Sequence, residues 1–273
     1  MRIVVLVKPV PDTASGGERL RPDDWRLDRA AVPAVVNAND EYALESALKL
    51  TEAHGGEVHL VSMAGTGAPD TMRKALAMGA ASGTLVTDEA LGGSDTLSTA
   101  RVLAGTLRGL EYDLVLAGAD TSDGGAGVVP SGVAALLGLP YLSYAAKIEP
   151  DPAAGTVRVH RITPTGYEVL EAAMPALVVA TQALGEPRYP SLKGIMAARS
   201  KSVETKALTD VAAAGTRADG TPAAESSVGG AAATSAVLGS EAPPPRAATR
   251  VIREPADEAA RQVVEFLSER RII

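Results

Sequence analysis

The residues best suited to chemistry in this chain are its glycines. The stretch Ala119, Asp120, Thr121, Ser122, Asp123, Gly124, Gly125, Ala126, Gly127, Val128, Val129 and Pro130 follows the apolar run Leu114–Ala117 and Gly118 directly, and it leads into an alanine- and leucine-rich segment ending at Gly138. That order reads as strand, glycine loop and helix. The glycines let the backbone turn with its N–H groups pointing inward. Pro130 suits the first turn of a helix, whose free N–H groups and dipole add to the same positive concavity. Such a concavity takes an anion, and a phosphate fits it best. The chain lacks a G-x-x-x-x-G-K-[ST] motif, so triphosphate hydrolysis is not expected. A plain connection between a closely packed strand and helix would use the same residue types, so the loop alone leaves both readings open.

Two further clusters carry chemical character. Ser94, Asp95, Thr96 and Thr99 gather hydroxyls and a carboxylate at the expected start of a helix, where they either cap it or contact a second ligand. In the segment Glu186–Lys201, Leu192, Ile195 and Met196 lie among Arg188, Lys193, Arg199 and Lys201. Leucine and flexible methionine inside a basic rim suit partner binding, although a core-facing helix with a solvated basic face would read alike. No catalytic constellation emerges. His54, His59 and His160 are scattered without metal-ligand spacing, and Ser131 is outside any G-x-S-x-G elbow. The chain contains no cysteine, which excludes disulfides and thiolate catalysis.

The elements that must position these groups follow from periodicity. At 273 residues, the chain has the length of one large α/β domain or of a domain with an appendage. Its net charge of −7 and its mixed basic residues argue against nucleic acid as a partner. Met1–Lys8 is too short for a signal peptide and reads as a strand, no segment approaches a membrane span, and a cytoplasmic location is expected. Buried strands are expected at Ile3–Val7, Gly55–Met63, Gly83–Thr87, Leu114–Ala117 and Ala176–Ala180. Pro9 and Pro11 should end the first strand, since neither can donate to a ladder. Helices are expected over Asn37–Leu50, capped by Asn37 or Asn39, and over Thr71–Met78, Ala100–Leu110 and Glu254–Arg270. Runs at Leu142–Glu149, Val157–Ile162 and Glu168–Ala173 read as antiparallel hairpins. Residues 209–246 fall to Ala, Gly, Ser, Thr and Pro, a composition that fills no core and predicts an extended or mobile arm.

Taken together, the chain resembles the β subunit of electron transfer flavoprotein. The resemblance runs from Val4–Asp12 through Asn37–Ala47, Lys74–Ala80 and Asp113–Gly118 to Glu186–Arg199, its most specific part, and returns at Phe266–Ile273. It implies an α/β fold with a parallel-sheet, Rossmann-like, adenine nucleotide α-hydrolase-like domain over residues 1–207, appended β hairpins, a linker arm over 208–253 and a partner-packing helix over 254–273. It also implies a heterodimer whose α subunit holds most of the redox FAD, while this chain acts as an electron carrier subunit, not an enzyme. AMP would be bound by Leu6, Asn37, Ala38, Asn39, Asp40, Met63 and Ala119–Pro130. Partner contacts would come from Arg188, Tyr189, Leu192, Lys193, Ile195, Met196 and Arg199, which would dock acyl-CoA or other dehydrogenases of fatty acid oxidation ahead of a membrane quinone oxidoreductase. Many members carry Gln-Thr-Gly or Gln-Val-Gly where this chain has Val128, Val129 and Pro130, so backbone N–H groups must do more here. The Gly93–Thr99 stretch resembles electron-bifurcating relatives, in which a second FAD that reacts with NADH replaces AMP; Asp95, Thr96 and Thr99 would then hold it. A free-standing adenine nucleotide-binding module is a third reading, open from the loop alone.

Overall fold

The computed structural model describes residues 1–65, 68–214, 228–241, 243–244, 249 and 251–273. Its first unit, Met1–Leu238, is built on a nine-stranded sheet. The strands are β1 (Arg2–Leu6), β4 (Glu57–Met63), β5 (Ser82–Val86), β6 (Leu114–Gly118), β7 (Tyr141–Asp151), β8 (Thr156–Thr163), β9 (Gly166–Ala173), β10 (Ala176–Ala180) and β11 (Val203–Lys206). Their spatial order is β11-β5-β4-β1-β6-β10-β7-β8-β9. Neighbours from β11 to β7 pair in parallel, and β7-β8-β9 is the antiparallel extension expected from the short runs and tight turns. The parallel α/β reading holds.

β6, β10 and the Ile3–Leu6 stretch of β1 are apolar at every position because both faces of the sheet are covered there. Ile3 and Val5 face the layer formed by α1 (Ala38–His54) and α2 (Ala68–Met78), where Leu44, Leu48, Met72 and Leu76 pack. Val4 and Leu6 point the other way, towards α3 (Thr96–Arg108) and α4 (Val129–Leu137), with Leu103, Leu107 and Val133. A one-residue register slip would exchange these two sets.

Three features depart from the sequence reading. Pro9 and Pro11 do end β1, but Pro9–Pro11 then forms a short strand, β2, antiparallel to β3 (Ala34–Val36). Within β2 only Val10 carries a backbone N–H, and the fragment is correspondingly brief. Asn37 stands at the cap of α1 without capping it through its side chain. The alanine-rich stretch also contributes to a core: α6 (Leu208–Ala214) begins it, and Leu208, Val211 and Val228 pack with Val86, Leu91 and Val102 beside α3. The centre of that stretch, 215–227, lies outside the described residues.

The second unit, Gly239–Ile273, carries α7 (Ala256–Glu269). None of its residues is buried, and Val263, Val264 and Phe266 are exposed on it. Among the described residues no helix is long and apolar enough to cross a membrane.

Candidate functional site

The connections place a crevice beside β1. From β1 the chain runs through α1 to β4 and through α2 to β5, then crosses by α3 to β6 on the other side of β1. The strand order therefore reverses between β1 and β6. Ligands of open α/β sheets bind beyond the carboxyl ends of the strands at such a point. Lys8, Asn37–Asp40 and Ala119–Pro130 converge there.

Asp40 ties the floor together. Its carboxylate, buried in the first turn of α1, accepts from Lys8 N at 2.8 Å and from Asn37 Nδ2 at 3.1 Å, and it also receives the N–H of Gly118. Gly118 is required by this approach, because a Cβ there would meet Asp40 Oδ1 at 2.4 Å and the Asn39 carbonyl carbon at 2.7 Å. Asn37 and Asn39 both donate to the Asp120 carbonyl, at 2.8 Å and 3.0 Å, and Ser122 N donates to Asn37 Oδ1 at 3.3 Å. The asparagines thus spend their amides on fastening the glycine loop to α1. The sequence reading treated them as caps or ligand contacts.

Burial pushes the Asp40 carboxyl up to about 7, against the opposing hydrogen bonds of Asn37 and of Lys8 N. The folded chain therefore keeps a proton between the ordinary value of 3.8 and about 7 that the unfolded chain has released. More protons bound in the folded state means that this group makes stability fall as pH rises through that window and level off above it. Denaturation midpoints taken near about pH 5 and about pH 8 should differ more in the wild-type chain than in Asp40→Asn, which has no such proton. Equal differences in the two proteins would show that Asp40 is ionised throughout.

The loop is fixed by the N–H groups of Thr121, Ser122, Gly124 and Gly125. Gly125 and Gly127 adopt left-handed φ values of 56° and 63°, which glycine takes without strain. The N–H groups of Ala126–Val129 come after these fixings and lead into the amino end of α4, where a helix offers donors to an anion. Pro130 is buried in the first turn of α4, and Val128 is exposed. Leu6 is buried on the α3–α4 side, and Met63 is half-buried against the same layer, so both build the wall behind the crevice.

Two cations at this loop escaped the sequence reading. Lys8 Nζ donates to Asp123 Oδ1 at 2.8 Å and to Thr121 Oγ1 at 3.3 Å. Arg29 Nη2 donates to Asp123 Oδ2 at 2.5 Å. Burial alone would raise the Asp123 carboxyl, but the hydrogen bond and charge of Lys8, and then of Arg29, hold it well below the usual carboxylate range. Lys8 was legible as a cation two residues beyond β1 at an α/β site. Arg29 was not, because it sits in the irregular stretch after β2. Asp12 accepts from Ala14 N and Ser15 Oγ in its own turn.

The cluster at α3 is resolved by contacts that the sequence does not indicate. Asp95 Oδ1 caps the helix by accepting from Ser98 N at 2.8 Å. Its Oδ2 accepts from Thr234 N at 2.7 Å, Ser235 N at 3.1 Å and the hydroxyls of both residues. Thr96 and Thr99 are half-buried in the following turn. The Asp95 carboxylate is thus engaged by its own chain.

The segment Arg188–Arg199 is moored at both ends and exposed between them. Arg188 Nε reaches Glu45 at 2.7 Å, its Nη1 reaches Glu52 at 2.5 Å, and its backbone N–H donates to Glu45 as well. Beyond it, α5 (Leu192–Ala198) lies against α2 so closely that a Cβ on Gly194 would meet the Ala77 carbonyl at 2.4 Å. Arg73 donates to the carbonyls of Ala198 and Lys201, and Lys201 Nζ donates to those of Leu76 and Ala80. Tyr189 is 95% exposed and Leu192 78%, with Ile195, Met196, Lys193 and Arg199 also on the surface. Arg188 therefore orients the segment, and the exposed apolar residues are what it presents.

The chain is similar to known proteins over most of its length. The profile of the electron transfer flavoprotein domain matches residues 24–211. The chain is 35% identical over 273 residues to the electron transfer flavoprotein subunit beta of Thermoanaerobacterium thermosaccharolyticum, covering 100% of both chains. It is 37% identical over 279 residues to the subunit of the same name in Mycobacterium bovis, covering 99% of each. Protein FixA of Azorhizobium caulinodans is 39% identical over 210 residues, covering 74% of each chain.

Proposed function

Because the chain belongs to the electron transfer flavoprotein β-subunit family, we propose that it binds AMP in the crevice between β1 and β6 while supporting the FAD held mainly by an α subunit. The observation that supports the nucleotide reading is the fastening of the Gly118–Pro130 loop to α1 by Asn37, Asn39 and Asp40, directly ahead of the amino end of α4. AMP fills such a site without chemistry of its own. Its role here is to order the loop.

The partner reading rests on two exposed apolar surfaces. In the first unit, Leu192, Ile195 and Met196 on the moored segment would dock dehydrogenases, which hand electrons to the flavin for onward passage to a membrane quinone oxidoreductase. In the second unit, the apolar residues of α7, together with Ile272 and Ile273, would pack on the α subunit. The domain division at 207 and 253 and a cytoplasmic setting belong to the same reading.

A second FAD in place of AMP is less well supported. Its proposed contact Asp95 is already engaged by Thr234 and Ser235.

The test is to copurify the chain with its α partner, denature the complex and count the released cofactors. One FAD and one AMP per heterodimer are expected. Two FAD without AMP, together with bleaching by NADH, would replace this reading with the bifurcating one, and a chain that binds AMP as a stable monomer without any partner would favour the free-standing module.

A further inference from the structure

We propose that Lys8 and Arg29 are the phosphate clamp of this crevice, pre-positioned by Asp123, and that they select a nucleotide phosphate over an uncharged nucleoside. The inference rests on the nucleotide-binding reading of the same crevice.

Three separate stretches build the cluster: the end of β1, the irregular segment between β2 and β3, and the loop after β6. Its charges are layered. The Asp123 side chain is 2% exposed, whereas those of Lys8 and Arg29 are 36% and 50% exposed, so the anion is inside and both cations face outward. Lys8 and Arg29 thus share the single carboxylate of Asp123, while Asp120, the other carboxylate of the loop, accepts from the N–H of Thr121.

Donors remain available as well. An ammonium has three and a guanidinium five. Lys8 Nζ uses two of them, on Asp123 and Thr121. Arg29 uses bonds to Asp123 and to the Pro9 carbonyl, the latter at 3.4 Å. The ammonium also lies over the loop backbone, since a Cβ on Gly124 would stand 3.5 Å from it. Val128, Val129 and Pro130 bring no polar side chain to the same anion. Charge recognition therefore has to come from across the crevice.

Charge sets the ligand class. A phosphomonoester carries roughly −1.5 to −2 at neutral pH. A nucleoside has none. A pair of cations with one buried counter-charge favours the first.

The experiment uses the intact heterodimer stripped of nucleotide and titrated with AMP and, separately, with adenosine. Lys8→Met and Arg29→Met are each expected to weaken AMP by about tenfold or more, with adenosine unchanged, and Lys8→Arg should retain the preference for AMP. Added salt should weaken AMP and not adenosine. AMP and adenosine falling in equal proportion in the variants would show that the two residues merely support the loop, and would overturn the clamp. AMP binding that survives both substitutions would overturn it too, with the nucleotide site intact. If the wild-type complex binds neither compound, the nucleotide reading itself falls and the clamp falls with it.

Discussion

Replacing Arg188 by alanine should destabilise the first unit by about 2–4 kcal/mol, because it strands a buried carboxylate. The Glu45 side chain is 5% exposed and accepts from both the side chain and the backbone of Arg188. Burial would raise the Glu45 carboxyl, and the Arg188 hydrogen bonds outweigh it and lower it. Without Arg188 the remaining ion-pair partner is Lys49 at 3.5 Å, half-exposed on the same helix. The Glu52 pairing is largely solvated and adds little. Urea unfolding measures the loss, and Arg188→Ala combined with Glu45→Gln should recover part of it, since the stranded charge is then gone. A loss below about 0.5 kcal/mol, the range of ordinary surface substitutions, would show that the segment is not held through this pair.

The second large effect should leave stability alone. Leu192→Ala is expected to weaken coupling to a donor dehydrogenase by about 2 kcal/mol or more, the scale of a truncated apolar hot spot. The side chain is 78% exposed in this chain, so little packing is lost within the subunit. Flavin and nucleotide content should match the wild type, as should the urea midpoint. Electron delivery from an acyl-CoA dehydrogenase, followed against donor concentration, reads the result, and unchanged delivery would remove Leu192 as the anchor. The two variants would separate the mooring of the segment by Arg188 from the partner contact proposed for Leu192.

Much of this was legible in the sequence, for local reasons. Continuous apolar runs such as Leu114–Ala117 are long enough for a strand and too short for a helix. The alternation of Ile3 and Val5 with Val4 and Leu6 only makes sense when both faces are covered. The glycine loop was visible because left-handed backbone calls for glycine, and positions 125 and 127 have it. Spacing likewise marked the paired hairpins.

Pairings between distant residues were not legible, since residue type gives no distance. Asn37 and Asn39 read equally well as helix caps or as ligand donors until the fold brought the Asp120 carbonyl within 2.8 Å and 3.0 Å. Nothing in the residue types showed that Asp40 is a buried cross-link between β1, α1 and the glycine loop. Asp95 looked available to a ligand until Thr234 and Ser235 closed on it, and Arg29 acquired a role only when an irregular segment folded over the loop. The sequence alone determined the parallel α/β layering and the glycine loop, because periodicity, glycine and proline act within a few residues, whereas the exposure of Leu192, Ile195 and Met196 came from the fold. Only the tertiary structure decided which polar groups are spent on the chain itself and which face the crevice. A hydrogen bond depends on a few ångströms, and here those few ångströms separate residues that lie dozens of positions apart along the chain.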